Sequence, residues 1–207
     1  MQVPPMPLEV ANALAMLLYA GSRPAEGLAI LLCFAGMLRI SEALALLWDD
    51  VVATSRGLII RIRCAKTGEN QETVIANAST SMFVGLARPS GKMSGQTRIC
   101  DTSYTAFRFW FNAGLRALRM EALGFKSHSL RRGGATARIL AGYTLVQVML
   151  EGRWSCESSC RLYLKTAEVA VVNIKRGMDE ENLELCRLLG ESWEFVARKC
   201  IPLACEG

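Results

Sequence analysis

His128 and Arg131 lie three residues apart, and His128 is the only histidine in the 207-residue chain. Residues three apart share a helix face, so this pair can present an imidazole and a guanidinium to one ligand, a combination suited to a phosphate. Gly142 closes the apolar run that follows, a short helix is expected from Thr144 to Leu150, and the turn Glu151-Gly152-Arg153-Trp154 leads into a helix carrying Tyr163. The order is basic pair, turn, indole, phenol, with Tyr163 nine residues after Trp154. Upstream, Arg39 and Glu42 are again three apart, inside GMLRISEALALLWDDV (36–51). Alone, that pair reads as a surface ion pair opening an amphipathic helix.

These spacings resemble those of the tyrosine recombinases (phage integrases). In that family a His-x-x-Arg pair is followed by a His or Trp and, nine residues later, by the nucleophilic tyrosine. An earlier Gly-x-Arg-x-x-Glu pattern leads into a strand. Here Gly36 stands one residue further from Arg39, with Met37-Leu38 between them. The family also places a lysine in a Lys-Thr turn of a β-hairpin, and Lys66-Thr67 is the matching dipeptide; by itself Lys66 reads as a solvated lysine. The likeness spans roughly residues 25–170. Singly, a core Trp, a surface Tyr and a satisfied His are the commoner explanations; together, seven residues in order favour the family reading.

The resemblance implies Arg39, Glu42, Lys66, His128, Arg131, Trp154 and Tyr163 as the catalytic set. Arg39 and Arg131 would grip the non-bridging oxygens of a phosphodiester. Trp154 would donate its indole N–H to an oxygen anion. Tyr163, with a free pKa of about 10, needs help to attack, and His128 is the available base or hydrogen-bond partner. Lys66 would protonate the leaving 5′ oxygen, and Glu42 would orient His128 and the arginines. The implied reaction is transesterification through a covalent 3′-phosphotyrosyl link, reversed by a 5′ hydroxyl, with no metal, ATP or other cofactor.

These residues need elements to hold them. Helices are expected over Leu8 to Ala20, Ala25 to Ala35, Ala78 to Ala87, Ser103 to Leu123 and Met178 to Lys199. The last of these would bury Leu183, Leu185, Leu188, Leu189, Trp193, Phe195 and Val196. After Tyr163 a helix continues to Val172 and breaks at Lys175-Arg176-Gly177. Residues 58–63 and 71–76 read as strands joined by CAKTGEN, with Ile60 and Ile62 on the core face and Arg61 and Arg63 toward solvent or DNA. In 103–123, Phe107, Trp110, Phe111, Leu115 and Leu118 face the core, and Arg108, Arg116 and Arg119 lie elsewhere. Arg88 to Asp101 is a polar loop.

The fold class is α+β, mainly α: a helical catalytic domain with a small antiparallel sheet, as in DNA breaking-rejoining enzymes. Residues 1–24 form a lead-in helix, 25–172 the catalytic domain, and 173–207 a helical tail that could pack on a neighbouring subunit or cap its own core. The family usually carries an amino-terminal helical domain that clamps DNA, and only some two dozen residues precede the second helix here, so weak DNA affinity is expected.

Charge agrees with a DNA partner. Residues 51–165 carry seventeen basic and six acidic side chains, whereas 1–50 carry two and five, and 166–207 carry five and eight. A basic middle between acidic ends suits a polyanion-binding face, although dispersed surface charge can give the same excess. Eight cysteines lack any Cys-x-x-Cys and read as reduced thiols of an intracellular protein; Cys156 and Cys160, one turn apart, read as packing. The runs Val10 to Ala20 and Gly27 to Leu38 fall short of the about 20 residues of a membrane span. The expected partners are double-stranded DNA and further copies of the chain, as a tetramer on DNA, located in the nucleus or nucleoid. The Gly-Arg-Trp form is similar to recombinases of eukaryotic mobile elements. Two alternatives stand beside a recombinase: a type IB topoisomerase, and a DNA-binding module that has lost turnover.

Overall fold

A computed structural model describes residues 3–55, 57–65, 68–76, 80, 81, 84, 85, 95–164 and 167–199. Of residues 64, 65, 68, 69, 159, 162–164, 167, 168, 170 and 193–199 it describes the backbone alone. Most of the expected helix over Ala78 to Ala87 and half of the loop from Arg88 to Asp101, as well as Lys66 and the side chains of Tyr163, Trp193, Phe195 and Val196, lie outside those residues.

The helices are α1 (Leu8–Ala20), α2 (Pro24–Ala35), α3 (Ile40–Ala45), α4 (Tyr104–Ala117), α5 (Ser127–Leu140), α6 (Leu145–Gly152), α7 (Glu157–Leu164), α8 (Ala167–Gly177) and α9 (Glu180–Lys199). Strands β1 (Val51–Thr54), β2 (Gly57–Ala65) and β3 (Gly68–Ile75) form one antiparallel sheet in that order. In register, Val51 faces Ile60 and Ile60 faces Thr73. Leu58, Ile60, Ile62 and Ile75 are buried, as the alternation predicts. Arg61 is exposed beside Glu72, while Arg63 bends back to the buried Asp50 at 2.6 Å, tying the hairpin to a 3-10 turn at Trp48–Asp50.

Pro24 opens α2, where its missing N–H costs nothing. From Glu26 to Phe34 every residue of α2 is buried, as an apolar helix at the centre of a bundle must be. Two close approaches set its neighbours. A Cβ on Gly27 would lie 2.7 Å from the Ala15 carbonyl of α1. Cβ atoms on Gly133 and Gly134 would lie 2.1 Å from the Met6 and Phe34 carbonyls. The Gly-Gly pair therefore brings α5 into backbone contact with the end of α2, immediately beyond Arg131 and Arg132. Arg132 donates to the Val3 carbonyl, and the Met6 N–H donates to the Ser129 carbonyl at 3.0 Å, fastening the amino-terminal segment to α5.

Three expectations shift. The helix from Ser103 ends at Ala117, because Arg119 turns left-handed (φ 55°) and drops Met120 into the core before a 3-10 turn at Glu121–Leu123. Phe107, Phe111, Leu115 and Leu118 are buried; Trp110 is half-buried beneath the Arg23 guanidinium, 4.1 Å from its ring centre. Lys175 and Arg176 sit in the last turn of α8, where cations meet the negative helix end, so the break falls after Gly177. Finally, α9 turns Asn182, Cys186 and Leu189 inward as it packs along α1 and leaves Leu183, Leu185 and Leu188 largely exposed. The inward stripe follows i, i+4, i+7 spacing. Among the described residues, no helix is long and apolar enough to cross a membrane.

Candidate active site

Arg39 is the residue that starts α3, in an extended conformation (φ −72°, ψ 149°). From there it grips Glu42 twice: its N–H donates to Oε2 at 2.8 Å and its Nη1 to Oε1 at 2.6 Å. This is not a surface pair. Glu42 is 4% exposed, and its carboxylate is shared with two distant stretches. Arg153 Nη2 donates to Oε2 at 2.8 Å, and Arg131 Nη1 stands 3.9 Å from the same oxygen. Three guanidiniums around one carboxylate leave an excess of two positive charges.

Arg131, on the first turns of α5, is 2% exposed. Its Nη1 donates to the Met37 carbonyl and its Nη2 to the Gly152 carbonyl at 2.5 Å. The indole of Trp154 stacks on it, with Cζ 4.4 Å from the ring centre. Gly152 permits that stacking, since a Cβ there would lie 1.7 Å from the indole Cζ3. Met37, the extra residue between Gly36 and Arg39, is left-handed (φ 46°). That turn presents the Gly36 and Met37 carbonyls to Arg153 at 3.5 and 3.4 Å, while the Met37 carbonyl also accepts from Arg131.

Burial alone would push the Glu42 carboxyl up. The Arg39 N–H, the Arg153 charge and the Arg39 guanidinium outweigh it and hold the group below its ordinary value. His128, the second residue of α5, is half-buried. Burial, and then the charges of Arg131, Arg132 and Arg39, lower its pKa from 6.5. The imidazole is therefore neutral near pH 7 and able to accept a proton.

That shift has a measurable consequence. Above pH 6.5 the imidazole is neutral in both folded and unfolded chains and adds no pH dependence. Below 6.5 the unfolded chain takes the proton first, so stability is lost as pH falls until the folded pKa is passed. Between about pH 7.5 and 5.5, thermal unfolding of the wild type should shift down more than that of His128→Gln; parallel curves would contradict a depressed pKa.

Tyr163 is carried on α7, which packs against α5 and α6. Three residues earlier, Cys160 is fully buried in a small cluster with Met37, Ala135 and Val148. Burial raises its thiol pKa, while the Arg131 charge lowers it and the Glu157 charge raises it. Trp154, stacked on Arg131, packs against the same cluster and so links α7 to that guanidinium. Cys160 is packed as expected; Cys156 is exposed. Among the described residues, no three His, Cys, Asp or Glu side chains could hold a metal ion.

The structure thus brings together Arg39, Glu42, Arg131 and Trp154, with His128 under the influence of two of them. Lys66 and the Tyr163 side chain lie outside the described residues. Arg153 went unread in the sequence, where it was one residue of a turn. Its place directly before Trp154, in the turn Glu151-Gly152-Arg153-Trp154, is the signal that the sequence offers.

Neither a family model nor a curated protein matches the chain. Among solved structures, the fold is similar to the crystal structure of XerA recombinase, with a TM-score of 0.58 and 17% identity over 86% of this chain and 67% of that one. The likeness is one of fold, and the mainly helical architecture with a small three-stranded antiparallel sheet is tyrosine recombinase-like.

Proposed function

We propose that residues 25–172 are the catalytic domain of a site-specific DNA recombinase or integrase. Tyr163 attacks a DNA phosphodiester: its phenolic oxygen bonds to phosphorus, the P–O5′ bond breaks, and a 3′-phosphotyrosyl link and a 5′ hydroxyl result. His128 takes the phenolic proton and Lys66 returns one to the 5′ oxygen. Arg39, Arg131 and Trp154 bind the non-bridging oxygens, where charge builds in the transition state. Glu42 orients the arginines. Attack by a 5′ hydroxyl from another strand completes the exchange.

The observation that carries this reading is the convergence of Arg39, Arg131 and Arg153 on the buried Glu42 carboxylate, with positive charge in excess. A cavity of about 380 Å³ at the start of α5 adds to it. Tyr104, Arg108, Asn112 and Lys126 line it, and among the described residues neither Arg108 nor Lys126 has an ion-pair partner. Such a surface favours a polyanion beside His128. The partner is double-stranded DNA, with four copies of the chain on it and the outward Leu183, Leu185 and Leu188 of α9 available for contact between subunits.

Joining distinguishes the possible activities. Two labelled duplexes sharing the target site and a supercoiled plasmid carrying it are incubated with the chain. The reading expects joints between separate duplexes. Relaxation without joining would indicate a type IB topoisomerase, and salt-sensitive binding with neither would indicate a lapsed binding module.

A further inference from the structure

Arg153 holds the left-handed conformation (φ 57°) one residue before Trp154. Glycine or asparagine adopts that conformation at lower cost, so a long side chain kept there must be held by its contacts. Arg153 is 9% exposed. Its Nη2 makes the 2.8 Å bond to Glu42, and longer contacts of 3.4–3.5 Å reach the Gly36, Met37 and Glu151 carbonyls. Each of those carbonyls has a second partner. The Thr73 hydroxyl, on β3, donates to the Glu151 carbonyl at 3.1 Å and lies 3.5 Å from that of Gly36; Arg131 donates to that of Met37. Arg153 is thus joined at once to α3, to the turn after α2, to α5 and to the hairpin.

We propose that Arg153 is a positioning residue for strand cleavage. It seats the Glu42 carboxylate so that Arg39 and Arg131 keep the orientation phosphate contact requires, and it ties the β2–β3 hairpin to that cluster through the carbonyls shared with Thr73. This role rests on the recombinase reading. The physical reason lies in the competition for Oε2. With Arg153 at 2.8 Å, Arg131 stays 3.9 Å away, outside hydrogen-bond distance. Without Arg153 the nearest further cation is Arg131, which would close onto the buried carboxylate and leave the Met37 and Gly152 carbonyls. The charge meant for the phosphate would then be spent on Glu42.

The test is single-turnover cleavage by the full chain, on the duplex that wild type captures from a pool of nicked, sequence-randomised duplexes. Arg153→Gly suits the backbone but removes the clamp; Arg153→Lys keeps a charge but not the two-pronged guanidinium. The cleavage rate constant should fall about 10–100-fold in the glycine variant and less in the lysine variant. Reaction amplitude and the salt dependence of DNA binding should be unchanged. A lower amplitude at an unchanged rate constant would mean that Arg153 only supports folding, and would overturn the role. So would a salt slope reduced by about 1, which marks a direct phosphate contact. Should the glycine variant not fold, a wild-type rate constant in Arg153→Lys overturns the role by itself. If wild type captures no duplex, the recombinase reading fails and takes this role with it, an outcome distinct from capture with undiminished variants.

Discussion

Arg131→Ala is expected to slow strand cleavage by about 100–1,000-fold, the usual cost of removing one donor to an anionic transition state. Arg131 also has structural work to do, and the two effects must be separated. Its guanidinium bridges the Met37 and Gly152 carbonyls and supports the Trp154 indole. Truncation takes the donor from the Gly152 carbonyl and leaves the Met37 carbonyl only the 3.4 Å contact from Arg153, where a buried acceptor left unpaired costs about 1–3 kcal/mol. Rates should therefore be read well below the variant's unfolding temperature and per folded molecule. Arg131→Lys gives an independent comparison, because a single ammonium cannot span both carbonyls and a phosphate. An alanine variant within a fewfold of wild type, per folded molecule, would remove Arg131 from the proposed chemistry.

The second large effect concerns folding. Glu42→Ala leaves Arg39, Arg131 and Arg153 facing one another without their shared carboxylate. Breaking a buried ion pair from one side costs about 3–5 kcal/mol. For a chain of this size that is roughly 6–20 °C of Tm. Because the Glu42 pKa is held below 4.5, the stabilisation is present above that pH and is lost as pH falls below it, where the unfolded chain takes the proton first. Arg187→Ala is the control. Its partners Glu184 and Glu191 sit with it on the exposed face of α9, so its Tm should match wild type. Equal shifts in the two variants would contradict a special role for the buried carboxylate.

Local features of the chain were readable before the fold was known. The helices expected to end at Ala20 and to begin at Ala25 are separated, as found, at Gly21-Ser22-Arg23-Pro24, and alternation around Ile60 and Ile62 marks the hairpin. His128 with Arg131, and Arg39 with Glu42, were visible because helical geometry makes three-residue spacings meaningful. What was missed depends on contacts distant in sequence. The left-handed turn at Arg119 that shortens α4 responds to Met120 entering the core. Nor did periodicity around Leu183, Leu185 and Leu188 indicate which stripe of α9 would meet α1. Strand β1 consists of four residues, too few for a pattern. Arg153 is the clearest case, because its meaning comes from Glu42, 111 residues away. The Arg39–Glu42 pair shows the same limit: its spacing was legible, but its burial was not.

The central claim is that Tyr163 forms a covalent link to DNA. The direct measurement is denaturing-gel trapping on labelled, nicked duplexes, comparing wild type with Tyr163→Phe. The account predicts a protease-sensitive, shifted band in wild type, with protein on the 3′ side of the break, and none in the phenylalanine variant, which has lost the attacking oxygen. A band of equal strength in Tyr163→Phe, or none in wild type on a duplex that it binds and whose site it protects, would contradict it.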